Sequence, residues 1–123
     1  MARILIAEDD DIIRELAVRA LSEDGHELTV TANGAAALVA LGRQGGAFDL
    51  LLTDVKMPKV DGIALALEAG RLHPDIAIML MTGYADQRER AHGLDALVHD
   101  VITKPFTVDQ IKDAVREALV MRH

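Results

Sequence analysis

Short apolar runs alternate along the chain with longer stretches whose apolar positions recur at helical spacing. Ile4-Leu5-Ile6-Ala7, Leu28-Thr29-Val30-Thr31, Phe48 to Thr53, Ile76 to Met81 and Leu97 to Ile102 are the short runs, and they predict strands. Residues 12–21 carry Ile12, Ile13, Leu16, Ala17, Ala20 and Leu21 on one helical face. Ala35 to Leu41 is helical by propensity, and Asp61-Gly62 opens a helix that runs to about Leu72. A short charged helix is predicted over 86–92, and an amphipathic one from Thr107 to Val120 with Val108, Ile111, Val115, Ala118 and Leu119 inward. The punctuation agrees. Asp24-Gly25 is a stop, Asn33-Gly34 a turn or cap, Gly42 with Gly45-Gly46 a break, and His73-Pro74 another stop.

Five strand–helix units joined by short loops imply a parallel sheet with helices on both faces, because parallel strands need crossover connections. The strands read as buried on both sides. No repeat, linker or low-complexity segment interrupts the pattern, so one doubly wound α/β domain is expected over residues 1–123.

Composition narrows the function classes. The chain has 123 residues, 50% hydrophobic and 27% charged, so it has enough apolar surface to fold. No apolar run approaches the ~18 residues of a membrane span, and Met1-Ala2-Arg3-Ile4 leads straight into a strand without a signal-peptide pattern. There is no cysteine, hence no disulfide, thiolate metal site or cysteine nucleophile, and a cytoplasmic location is expected. The net charge of −7 and 13 scattered Lys and Arg argue against nucleic-acid binding. Five histidines (His26, His73, His92, His99, His123) lack metal-ligand spacing and read as surface or loop residues, and the single Ser22 has no nucleophile setting.

The informative chemistry sits just after the strands, where open α/β sheets bind ligands. Glu8, Asp9, Asp10 and Asp11 follow the first apolar run, Asp54 the third, Thr82-Gly83 the fourth and Lys104-Pro105 the fifth. Each alone has a structural explanation: a capped helix start, a turn residue, a solvated lysine. Together, in order and at one sheet edge, they make a set that coincidence does not produce. Carboxylates so gathered call for a cation, and oxygen ligands favour Mg²⁺, with Mn²⁺ able to substitute. Asp54 can then serve as a nucleophile that forms an aspartyl phosphate, with Lys104 and the Thr82 hydroxyl on phosphate oxygens.

Ile6-Ala7-Glu8-Asp9-Asp10, Leu52-Thr53-Asp54-Val55-Lys56-Met57-Pro58-Lys59-Val60-Asp61-Gly62, Met81-Thr82-Gly83-Tyr84-Ala85 and Thr103-Lys104-Pro105-Phe106 resemble the receiver domain of bacterial response regulators. The resemblance covers the whole chain in order. It implies a flavodoxin-like (CheY-like) fold with strand order 2-1-3-4-5 and a phosphoacceptor rather than an enzyme. Asp54 takes the phosphoryl group, and Glu8, Asp9, Asp54 and the Lys56 backbone carbonyl surround Mg²⁺. Thr82 is the switch hydroxyl and Lys104 the phosphate-binding lysine, often followed in the family by a cis bond to proline. The phosphodonor is a histidine kinase or histidine phosphotransferase.

Two positions depart from the family pattern. Glu8 stands where Asp is more frequent, which suggests a water-mediated metal contact. Val101 stands where the family has its switch aromatic, so the output surface is expected at Tyr84 and the short helix 86–92, with Val101 contributing packing. The chain is also similar to the single-domain CpdR regulators of alphaproteobacteria, notably over residues 81–91 and 99–106. That likeness implies a phosphorelay protein, monomer or weak dimer, that couples the ClpXP protease to cell-cycle substrates when unphosphorylated. The alternatives are a chemotaxis-type receiver that binds a motor or kinase partner, and a Mg²⁺ aspartyl-phosphate phosphatase using Asp9 and Asp11. The second lacks a cap domain here.

Overall fold

The computed structural model describes residues 2–43, 48–83 and 98–121, and in them each apolar run supplies a strand. The strands are β1 (Arg3–Ala7), β2 (Glu27–Thr31), β3 (Leu50–Asp54), β4 (Ala77–Thr82) and β5 (Asp100–Thr103). The helices are α1 (Asp11–Glu23), α2 (Gly34–Arg43), α3 (Gly62–Leu72) and α4 (Val108–Met121). All pairs are parallel, in the order β2-β1-β3-β4-β5, which is the doubly wound arrangement expected. The predicted helix 86–92 with Arg88, Glu89 and Arg90 lies outside the described residues, as do Tyr84, His92 and His123.

The period of two along each central strand divides the core into two layers. Ile4 and Ile6 of β1, Leu50 and Leu52 of β3, and Ala77, Met79 and Met81 of β4 face α1 and α4. Leu5 and Ala7, Leu51, and Ile78 and Leu80 face α2 and α3. All of these side chains are fully buried, and each large aliphatic one contributes roughly 1.5–3 kcal/mol. The expectation of burial on both faces fails for the outer strands. β2 and β5 are only partly covered, because each has a neighbour on one side alone and ends the sheet.

Several boundaries move for local reasons. Phe48 and Asp49 precede β3 instead of opening it: the Asp49 carboxylate accepts from the Arg3 N–H at 2.8 Å, and the Asp49 N–H donates to the Arg3 carbonyl at 2.7 Å. β3 and β4 run one residue further, taking in Asp54 and Thr82, and β5 starts only at Asp100. Asp10 caps α1, accepting from the N–H groups of Ile12 and Ile13 at 2.9 and 3.2 Å, and Asp61 caps α3 through Ala64. Thr107 and Gln110 form a reciprocal capping box on α4, each side chain bonding the other's N–H.

The surface or loop reading holds for the three described histidines, which all sit in connections between elements, and each also bonds a backbone group. His26 accepts through Nδ1 from the Ala2 N–H at 3.2 Å, and His99 through Nδ1 from the Ile78 N–H at 3.1 Å. His73 Nε2 lies 3.3 Å from the Leu41 carbonyl and caps α3. Each fills a gap in the backbone hydrogen bonding that local sequence does not reveal.

Candidate functional site

Register brings the strand ends together. Ala7 pairs with Thr53, Asp54 with Met81, and Thr82 with Thr103, so Glu8, Asp54, Thr82 and Lys104 emerge at one edge of the sheet. Gly62 allows the chain to fold tightly over that edge. A Cβ there would lie 1.8 Å from the Asp54 carbonyl oxygen, so only glycine fits.

Lys104 is the centre of the arrangement. Its Nζ lies 2.7 Å from Glu8 Oε1 and 3.0 Å from Asp54 Oδ2, with the Glu8 side chain wholly buried and that of Asp54 nearly so. Carboxylate oxygens of Glu8, Asp9 and Asp54 all lie within 4.8 Å of one another. Asp9 is exposed and Glu8 is not, so the pair has one wet and one dry member. Burial pushes the Glu8 carboxyl up to about 7; the hydrogen bond from Lys104 opposes the rise and the neighbouring Asp54 charge adds to it. Burial alone would lower the Lys104 ammonium, but its bonds to Glu8 and Asp54 outweigh that and hold its pKa above the ordinary lysine value.

Thr82 has a buried hydroxyl with no hydrogen-bond partner among the described residues. An unpaired buried hydroxyl is costly and calls for a ligand atom or a rearrangement that satisfies it. The Lys104 N–H donates to the Thr82 carbonyl at 2.7 Å, so the two side chains arise from backbone joined by a hydrogen bond; the Lys104–Pro105 bond is cis. In front of them opens a cleft of about 610 Å³, lined by Asp9, Asp54, Lys56, Gly83 and Lys104 on its polar side and by exposed Ile12 on its apolar rim.

Glu8, Asp9, Asp54, Lys56, Thr82 and Lys104 thus converge. Val101 does not join them; it is half-buried in β5 and packs against the layer under α2 and α3. Tyr84 lies outside the described residues. Asp10 and Asp11 belong to the helix start, as a cap and as an ion-pair partner of Arg14. The donor set suits a hard cation: among the described residues it is three carboxylates, with no nitrogen or sulfur ligand. What the residue pattern alone misses is the direct Glu8–Lys104 contact, which joins the first and last site residues in the chain and leaves no short-range signal.

Comparison with known proteins covers almost the whole chain. The family described as response regulator receiver domain matches residues 4–116. The response regulator receiver protein CpdR of Brucella abortus is 38% identical over 120 residues, which are 98% of each chain. The sensor kinase CckA of the same organism is 34% identical over 118 residues, 96% of this chain but 12% of the kinase. Among solved structures, a CheY-like response regulator receiver domain protein from Methanospirillum hungatei superposes with a TM-score of 0.86 at 28% identity, covering 98% of this chain and 94% of that one. The chain belongs to the response regulator receiver domain family, as a two-component receiver similar to CpdR.

Proposed function

We propose that residues 1–123 act as one receiver whose Asp54 accepts a phosphoryl group, and the observation that carries this reading is the contact of Lys104 with both Glu8 and Asp54. Glu8, Asp9, Asp54 and the Lys56 carbonyl would hold Mg²⁺ or Mn²⁺, which when bound neutralises charge on the transferred group. An Asp54 carboxylate oxygen attacks phosphorus in line. A P–O bond forms as the P–N bond to the donor's imidazole breaks, and the imidazole leaves with the electron pair. Lys104 turns its ammonium from Asp54 to a phosphoryl oxygen, and the Thr82 hydroxyl, without a partner among the described residues, donates to another. Asp9, the exposed carboxylate, keeps the site open to water, so the acyl phosphate is also the point of hydrolysis.

The donor is a histidine kinase or histidine phosphotransferase, and the likeness to CpdR supports an output on ClpXP-dependent proteolysis in the cell cycle, exerted from the cytoplasm. No helix among the described residues is long and apolar enough to cross a membrane. The output runs through Tyr84 and its neighbours, with Val101 as packing. Acetyl phosphate with Mg²⁺ should add one base-labile phosphoryl group, read by intact mass, and Asp54→Asn should take up none. An unmodified wild-type protein would overturn the phosphoacceptor assignment. Pull-down of ClpX by the unphosphorylated form, lost with beryllofluoride, separates the proteolysis role from a chemotaxis-type output.

A further inference from the structure

The connection from β3 to α3, residues 55–61, carries the Lys56 carbonyl and is fastened at both ends. The Val55 N–H donates to the Met81 carbonyl at 3.2 Å, and the Gly62 N–H to the Val55 carbonyl at 2.7 Å. Its middle is held locally: Met57 is buried in the core and the Val60 N–H donates to the Pro58 carbonyl at 3.0 Å, while Lys56, Pro58 and Lys59 are exposed. Lys59 is the centre of that three-residue turn and sits at φ 72°, a strained conformation for a residue with a Cβ.

The element that meets this middle is α2. A Cβ built on Gly34, the first residue of α2, would lie 2.1 Å from the Val60 carbonyl oxygen and 2.8 Å from the Val60 Cβ. Gly34 is buried and its backbone is not left-handed, so space rather than conformational freedom demands glycine there. The obstructing oxygen is backbone, so a methyl group could be admitted only if the loop retreated by about 0.9 Å to reach a 3.0 Å contact. Asn33 holds the helix start in place, accepting from the Ala36 N–H at 2.8 Å, so the loop is the part that must give.

We propose that Gly34 is a positioning residue for the phosphorylation site: α2 abuts the Val60 carbonyl, backs the turn from Pro58 to Val60 and thereby sets the reach of the Lys56 carbonyl toward the cation. The inference rests on the metal reading given above. Mg²⁺ demands near-ideal octahedral distances, so a retreat approaching 1 Å at one ligand is expected to weaken it steeply. Loss of an outer support of this kind costs about 10- to 100-fold in metal affinity.

The test uses the ¹⁵N-labelled full chain titrated with Mg²⁺ and read by amide chemical shifts. Gly34→Ala should shift the amides of residues 55–61 in metal-free protein and raise the Mg²⁺ Kd about 10- to 100-fold. Ala36→Gly weakens the same helical turn without touching the loop, and should leave both within twofold of wild type. Where Gly34→Ala alone fails to fold, the double variant with Lys59→Gly lets the loop hinge away from the added methyl. That variant should fold and keep the raised Kd. A folded Gly34→Ala with wild-type Kd and unshifted loop amides would overturn the proposal, and so would a double variant that still does not fold. Wild-type protein that binds no Mg²⁺ would instead overturn the metal reading, while the metal-free loop shifts would still test the support from α2.

Discussion

Thr82 carries a contradiction within one side chain: a hydroxyl wholly buried at the end of β4 without a partner among the described residues. Its removal should therefore help the resting protein. Thr82→Val is expected to raise unfolding stability by about 1 kcal/mol, seen as a higher urea midpoint at unchanged slope. The same variant should take up phosphate yet lose the amide shifts that beryllofluoride induces in residues 83–92. A drop in stability would mean that the hydroxyl is satisfied in solution. The carboxylates make a second pair of expectations. Asp9→Ala should abolish both Mg²⁺ binding and phosphotransfer, whereas Glu8→Asp should preserve both, because either acid can hold a metal-bound water. The contact between Glu8 and Lys104 adds a condition: the shorter Asp gives up the 2.7 Å bond, so Glu8→Asp should also free Lys104 toward Asp54. Phosphorylation of Asp9→Ala at the wild-type rate would show that the ligands are misassigned.

At the level of elements, α1 and α4 are clamped by charge as well as by packing. Lys112 meets Glu23 at 2.9 Å, and Arg116 grips Asp24 with two bonds of 2.7 and 2.9 Å. Hydrogen bonds from Lys112 and then Arg19 hold the Glu23 carboxyl below its usual range, and the Arg116 guanidinium does the same for Asp24. Since both carboxyls titrate lower in the folded chain than in the unfolded one, their contribution is complete above the ordinary carboxylate range. It is lost as pH falls through the lowered folded values. His26, beside Asp24, has the opposite chemistry with the same outcome. Burial lowers its pKa below the ordinary histidine value of 6.5, so acidification below about that pH favours the unfolded chain. Arg116→Ala should lower the melting temperature at pH 7, flatten the acid side of the stability profile, and lose its effect in 1 M salt, where exposed pairs are screened. Equal melting temperatures at pH 7 would show that the clamp adds nothing.

For the molecule as a whole, the question is how a change at one sheet edge reaches a surface that a partner reads. In the proposed switch β4 would connect them: Asp54 pairs beside Met81, Thr82 is its last residue, and the chain after it leads to Tyr84. Val101 on β5 is stiff about χ1 and packs into the layer under α2 and α3, so it has no pair of inner and outer positions to switch between. Beryllofluoride, whose fluorides stand in for phosphate oxygens, is expected to move amides most at 82–92 and less at 99–106. Tyr84→Ala should weaken partner capture while Val101→Ala leaves it intact. Shifts centred on 99–101 with 83–92 unmoved would end the idea of a rerouted switch.

Element order, the parallel sheet and the acids at the strand ends were legible in the chain, because they depend on local rules. Period two and period 3.6 separate strands from helices, and parallel topology sends every strand's carboxyl end to one edge. So Glu8, Asp9, Asp54, Thr82 and Lys104 could be gathered before any coordinates. Only tertiary structure decided what depends on neighbours far along the chain. The half-exposure of β2 and β5 follows from their places at the two ends of the sheet, which their own residues do not encode. The histidines at 26, 73 and 99 serve backbone groups that only folding brings near. Glu8 is wholly buried against Lys104, and Gly34 leaves room for Val60, for the same reason: each depends on how one element is placed against another, and a linear pattern records the elements but not the distances between them.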